Sequence, residues 1–148
     1  MRVWRGCLLL AVLTVMAGCS QTRSQPETAD ATPDAAQRAS PGKALVYVLR
    51  DERFASGRML AVELADHDAT DLPAGASQRW DVAPGDYLMR VSGDTDSEGL
   101  KLDLAAGDRV FVRASVTVTD DGVGGRLTRL PEERGERAVT RTRLLASD

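Results

Sequence analysis

The chain has 148 residues and a formal net charge of −3, from 22 acidic and 19 basic side chains. That length holds one domain and a linker rather than two sizeable domains. A mildly acidic balance gives no electrostatic case for nucleic acid, whose binders carry a clustered basic face.

Met1 to Arg5 carries two positive charges, and Gly6 to Val15 is uncharged and mostly apolar. A basic start, an apolar centre of roughly 7–15 residues and a small-residue exit predict a secretory signal. The run falls short of the about 20 apolar residues that a membrane-crossing helix needs. Its end, Met16-Ala17-Gly18-Cys19, resembles the lipobox of bacterial lipoproteins, with Met16 where leucine is commonest. That resemblance implies cleavage between Gly18 and Cys19 and a diacylglyceryl thioether on Cys19, which becomes an acylated N-terminus. Each buried acyl methylene is worth ~0.8 kcal/mol, and stable anchoring takes at least two lipid signals. Ser20 stands where aspartate favours inner-membrane retention in Gram-negative lipoproteins. By that resemblance the anchor belongs to the outer membrane, on its periplasmic face.

Cleavage removes 18 of the 148 residues, with Arg2 and Arg5 among them, and takes the formal charge from −3 to −5. Cys7 leaves with the signal and Cys19 is used by the lipid, so the mature chain is expected to lack disulfides. Its stability must then come from a packed core. Residues 20–42 contain no Leu, Ile, Val, Phe, Tyr or Trp and are cut by Pro26, Pro33 and Pro41. Such a segment cannot bury enough apolar surface to offset ordering entropy, and it reads as a disordered tether. The expected organisation is a signal over 1–18, a lipidated Cys19 with its linker over 19–42, and one domain over 43–148.

From Lys43 onward short β-rich runs are punctuated by Gly, Pro and Asp. Ala44 to Leu49 is apolar on both faces and belongs centrally in a sheet. Asp51 to Gly57 is a loop. Leu60, Val62 and Leu64 share a strand face, Asp66-His67-Asp68 turns the chain, and a return strand runs through Ala69 to Leu72. After a turn at Ala74-Gly75, Gln78, Trp80 and Val82 alternate with Arg79 and Asp81, as on a half-buried strand. Pro84-Gly85 predicts a type II turn. Tyr87, Met89 and Val91 line the next strand, and Ser92 to Ser97 is a polar loop. Leu100, Leu102 and Leu104 line another, followed by a turn at Ala106-Gly107-Asp108. The longest strand sets Val110, Val112, Ala114, Val116 and Val118 on one face. A turn over 119–125 and a short strand over 126–130 follow. Pro131 suits the first position of a helix, and Glu132 and Glu133 suit its positive end. The tail therefore reads as a short helix over 131–142, with an edge strand over 137–145 as the rival. The fold class is all-β, an antiparallel β-sandwich of about 7–9 short strands with a short C-terminal helix or edge strand.

Three segments together resemble a family of small bacterial lipoproteins whose shared domain has no assigned function. They are Lys43-Ala44-Leu45-Val46-Tyr47-Val48-Leu49-Arg50, Ala83-Pro84-Gly85-Asp86-Tyr87, and Leu102 to Arg113. The resemblance runs from Lys43 to about Val139 and extends to the acidic pair Glu132-Glu133 before Gly135. It implies a β-sandwich-like domain without assigned catalytic residues.

The candidates for chemistry are few. His67, the only histidine, lies between Asp66 and Asp68, but zinc takes three or four ligands and the mature chain offers no second nitrogen or sulfur side-chain ligand. Asp is common in such turns for backbone reasons. Asp94, Asp96 and Glu98 alternate as calcium ligands do, without the glycine and terminal glutamate of a helix-loop-helix calcium loop. No nucleophile elbow or phosphate-cradling glycine loop is present. Arg134, Arg137, Arg141 and Arg143 form a basic tail, interleaved with Glu132, Glu133 and Glu136, and read as a salt-bridged solvent face. No metal, cofactor or catalytic residue is therefore assigned. The expected function is a lipid-anchored, non-catalytic binding or structural module. Its partners are the membrane, through Cys19, and an envelope protein or cell-wall component. The alternatives are an envelope-polymer hydrolase using a carboxylate pair and a carrier of an apolar ligand.

Overall fold

The computed structural model describes residues 38–94 and 97–145. The expected signal, Gly18, Cys19 and most of the expected tether lie outside the described residues. The elements run β1 (Ala44–Arg50), β2 (Leu60–Leu64), β3 (Thr70–Leu72), β4 (Ala76–Val82), β5 (Gly85–Ser92), β6 (Ser97–Leu104), β7 (Arg109–Thr119), β8 (Gly122–Leu130), α1 (Glu132–Val139) and β9 (Arg143–Leu144). They form a five-stranded sheet, in the order β8-β7-β1-β4-β9, and a four-stranded sheet, in the order β3-β2-β5-β6. The all-β expectation holds.

The expected purely antiparallel pairing does not. The four-stranded sheet is antiparallel throughout, but β1 pairs with β7 in parallel, as does β4 with β9. The cause is where the chain re-enters the larger sheet. The turn before β7 docks beside the start of β1, where Gly107 N–H donates to Lys43 O and Leu45 N–H to Asp108 O, both at 2.8 Å. β7 must then run the same way as β1.

β1 shows why a strand can be apolar on both faces. Ala44, Val46 and Val48 join one apolar cluster with Leu60, Val62, Leu64, Met89, Val91, Leu102, Leu104, Val110 and Val112, residues drawn from both sheets. Leu45, Tyr47 and Leu49 face the other way into a second cluster with Phe111, Leu130 and Ala138. That second cluster lies beneath α1. Tyr47 and Phe111 stack there with ring centroids 5.3 Å apart and planes 2° apart.

The tail holds both the expected helix and an edge strand, in succession. Pro131 is the N-cap rather than the first helical residue. Arg109 at the start of β7 fastens the helix: its Nε donates to Glu132 Oε1 at 3.0 Å, and its Nη2 bonds to Glu132 and Glu136. These carboxylates hold the Arg109 pKa above its ordinary value, Glu132 most strongly, against the opposing effect of burial. Gly135, which looks like a flaw in a helix, is the contact point. A Cβ there would lie 2.1 Å from Phe111 Cγ.

Two turns differ from expectation. Gly85 has φ +151° and opens β5 opposite Leu104, so Pro84-Gly85 is not the type II turn, which needs φ near +80° at that position. The turn after β7 is shorter than 119–125. Asp120 and Asp121 alone cross over, and Gly122 already pairs with Thr119. Farther along β8, Gly125 sits against Val91 of the other sheet, where a Cβ would meet Val91 Cγ2 at 2.6 Å.

The folded body reaches back before Lys43. Ala39 packs on the second cluster, and Ser40 donates from N and Oγ to Asp81 at 3.3 and 3.2 Å. Burial pushes the Asp81 carboxyl up, but hydrogen bonds from Arg79 (2.7 Å) and Ser40 outweigh it and leave the group below the usual carboxylate value.

Two outcomes are expected. Gly135→Ala lowers stability in chemical denaturation by about 1–3 kcal/mol through overpacking, although alanine intrinsically favours a helix by about 1 kcal/mol. A gain in stability would contradict the contact. Asp81 binds its proton more readily in the unfolded chain, so its contribution is complete above its ordinary value of 3.8 and is lost as pH falls through the lower folded value. Asp81→Asn therefore flattens the acid limb of a stability-against-pH curve; an unchanged limb would contradict the assignment.

Candidate functional site: the loop built on Arg50

Strand alternation puts Arg50 on the same face as Val46 and Val48, at the end of β1. Its side chain is wholly buried. An unpaired charge there would be costly, so the guanidinium must find acceptors. It finds them in backbone carbonyls. Nη1 donates to Arg58 O at 2.6 Å and Leu72 O at 3.4 Å, and Nη2 to Ala55 O at 2.9 Å and Phe54 O at 3.3 Å. Nε has no hydrogen-bond partner but lies 3.7 Å from Glu52 Oε1. Burial pulls the Arg50 pKa down and Glu52 raises it again, with a net lowering. Arginine stays protonated regardless.

Those bonds shape residues 51–59. Ala55 sits at φ 50°, in the left-handed region, which costs roughly 1–2 kcal/mol outside glycine. Its carbonyl accepts from both Arg50 Nη2 and Arg58 N, the latter at 2.9 Å. The start of the loop is hooked to β7 beyond the end of β1. Asp51 pairs with Arg113 at 2.7 Å, and Glu52 Oε1 accepts from Val116 N at 2.6 Å. The far side is held by Arg58 and Asp94 at 2.9 Å. So fixed, the loop holds Phe54 outward at 64% exposure.

Beside the loop is a cleft of about 800 Å³, lined by Asp51, Arg53, Ser56, Ala74, Gly75 and Arg141. Its other wall is tied to the same arginine, since Gly75 N–H donates to Arg50 O at 2.7 Å and Arg143 N–H to Gly75 O at 2.9 Å. Two guanidiniums, a hydroxyl and a carboxylate already engaged by Arg113 suit the binding of an anion. Two further clefts are open. One of about 510 Å³ is lined by Asp86, Tyr87, Leu88, Lys101, Leu102 and Asp103, and one of about 250 Å³ includes Glu63 and Arg90. The two smaller clefts are walled by the four-stranded sheet and its turns, whereas the largest of the three is walled by the segments that pass between the two sheets, after β1 and before β4, and by Arg141.

The residues singled out in the sequence scatter. Gly18 and Cys19 are outside the described residues. Asp66, His67 and Asp68 are exposed in the β2–β3 turn, at the far end of β2 from the cleft. Among the described residues no three His, Cys, Asp or Glu side chains gather to hold a metal. Asp94 and Glu98 are engaged separately, Asp94 by Arg58 and Glu98 by Leu127 N–H at 3.1 Å; Asp96 lies outside the described residues. Among the part-buried carboxylates, Asp51, Glu52 and Asp81 each face an arginine.

The basic tail is not the salt-bridged face expected. Glu132 and Glu136 turn to Arg109. Among the described residues Arg134, Arg137, Arg141 and Arg143 have no acidic side-chain partner, and all four are exposed. Sequence reading missed Arg50 as an organiser and Arg53 and Ser56 as cleft residues. The available signal was parity: a charge two positions after Val48 falls on the core face.

Compared with protein-family models, curated proteins and solved structures, the chain finds no significant match in any of the three.

Removing the guanidinium leaves buried carbonyls unsatisfied, at roughly 1–3 kcal/mol each where water cannot reach. Arg50→Met is expected to lose of the order of 3 kcal/mol in chemical denaturation, whereas the exposed Arg53→Gln stays within about 0.5 kcal/mol of wild type. Equal stabilities for the two variants would contradict the role of Arg50.

Proposed function

We propose that this protein is a lipid-anchored envelope lipoprotein whose folded body is a non-catalytic β-sandwich binding module. Signal residues 1–18 are removed and Cys19 carries the acyl groups. The segment that follows tethers the body to the periplasmic face of the outer membrane, where it binds an envelope protein or cell-wall component. Met16-Ala17-Gly18-Cys19 and Ser20 support the address. One apolar cluster shared by the two sheets supports the sandwich arrangement.

The observation that favours a binding module most is the Arg50 loop. A protein that holds Ala55 in a strained conformation and seals a guanidinium beneath it stabilises one particular shape at a cost, and backbone strain of that kind concentrates where ligands are met. The shape holds an aromatic ring out to solvent, the residue type that dominates binding hot spots. The chain enters the body beside Lys43, and β1 then runs seven residues to Arg50, about 23 Å at 3.3 Å per residue. The described chain before β1 and the loop after it are thus at opposite ends of that strand.

Mass spectrometry of the mature chain is expected to find an acylated Cys19. Wild type should enter the detergent phase on phase partitioning, whereas Cys19→Ala stays aqueous with an unchanged circular dichroism spectrum. Photocrosslinking in whole cells from position 54 should capture a discrete envelope component that position 101 on β6 does not. A free thiol on an aqueous mature chain would overturn the anchor, and identical crosslinking from the two positions would overturn the loop as the contact.

A further inference from the structure

We propose that the cleft between the Arg50 loop and the β3–β4 turn is a site for an oxyanion group, a phosphate or carboxylate, carried on a larger ligand and held by Arg53 and Arg141. This rests on reading that end of the body as the binding surface, and it names the chemistry bound there.

The first ground is charge. This is an acidic chain, and many of its described arginines face carboxylates: Arg58 with Asp94, Arg79 with Asp81, Arg90 with Glu63, Arg109 with Glu132 and Glu136, Arg113 with Asp51, and Arg126 with Glu98. Among the described residues Arg53 and Arg141 have no acidic side-chain partner, a property they share with Arg129 and the rest of the basic tail; what sets these two apart is that they line one cleft. The one carboxylate of that cleft, Asp51, is neutralised by Arg113 at 2.7 Å. Two cations facing the same space repel each other, and an anion between them relieves the repulsion.

The second ground is construction. The two arginines come from distant parts of the chain, one from the loop after β1 and one from the segment between α1 and β9. Their walls are joined through the same few atoms. Arg50 bonds the loop carbonyls with its side chain and Gly75 N–H with its own carbonyl, and Gly75 O accepts from Arg143 N. Gly75, at φ +75°, presents bare backbone to the cleft, with nothing crowding the position a side chain would take. Ser56 adds a hydroxyl donor.

The third ground is size and chemistry. A planar guanidinium matches the two oxygens of a phosphate or carboxylate, which makes arginine the usual partner of both. At about 800 Å³ the cleft far exceeds a bare anion and falls within the range of sites for small-molecule ligands. The anionic group is therefore one part of the ligand, and the rest fills the remainder of the cleft.

The test uses the mature lipidated chain in neutral detergent, titrated at constant ionic strength with inorganic phosphate and, separately, acetate. Side-chain Nε–H signals of Arg53 and Arg141 are followed by nuclear magnetic resonance. Saturable shifts of both, weakened about tenfold by Arg53→Gln or Arg141→Gln and unchanged by Arg129→Gln on β8, are the expected result. The tighter of the two anions identifies the group. Shifts that do not saturate, or that Arg129→Gln reduces as much as the cleft variants do, would overturn the site. The two readings fail separately: an unacylated Cys19 or indiscriminate crosslinking leaves phosphate binding untouched, and a missing anion site leaves anchoring and the Phe54 contact intact.

Discussion

A positive charge sealed from water at the end of β1 is the constraint on which the loop end of this body depends. Arg50 lies on the core side of its strand, where solvent cannot solvate it. The folded chain meets that requirement by curling residues 54–58 so that the carbonyls of Phe54, Ala55 and Arg58 accept from the guanidinium. One side chain thereby sets the path of the loop, the strained Ala55 and the outward direction of Phe54. A hydrophobic residue would ask nothing of the loop. A lysine would bring one compact charge in place of a planar fork, and could not reach carbonyls on both sides at once.

That end can be demanding because the rest of the body is secure. β1 is wrapped on both faces, by the cluster shared between the sheets and by the second cluster under α1. The helix is short and includes a glycine, so its own propensity would not hold it. Arg109 and the close approach of Gly135 to Phe111 hold it instead. The same strap delivers the chain to β9, whose pairing with β4 brings Arg141 alongside the β3–β4 turn. The helix packed on the second cluster and the cleft lined by Arg141 are one piece of construction.

Much of this was legible in the sequence because period-2 burial leaves a period-2 pattern. Leu60, Val62 and Leu64, Met89 and Val91, and Leu102 and Leu104 all point where alternation says they should. The two-faced apolarity of residues 44–49 gave β1 its central position. What escaped depends on the third dimension. The parallel pairing of β1 with β7 follows from where a turn docks, and no local pattern encodes it. Gly135 is unfavourable in a helix and indispensable against an aromatic ring from another element. The interleaved charges of the tail looked self-neutralising, but Arg109, more than twenty residues earlier in the chain, draws Glu132 and Glu136 away. Arg50 was readable by parity, yet its acceptors are main-chain atoms, which carry no sequence signal.

If the guanidinium holds the loop as described, the loop opens only with the body around it. Native-state amide hydrogen exchange of the unmodified sequence tests this most directly, at Arg58 N–H, which bonds to Ala55 O, and at Gly75 N–H, which bonds to Arg50 O. Both amides should exchange with opening free energies close to that of the β1 amides. Exchange of either at the rate of an open, unstructured loop would contradict the claim that Arg50 fixes this end of the protein.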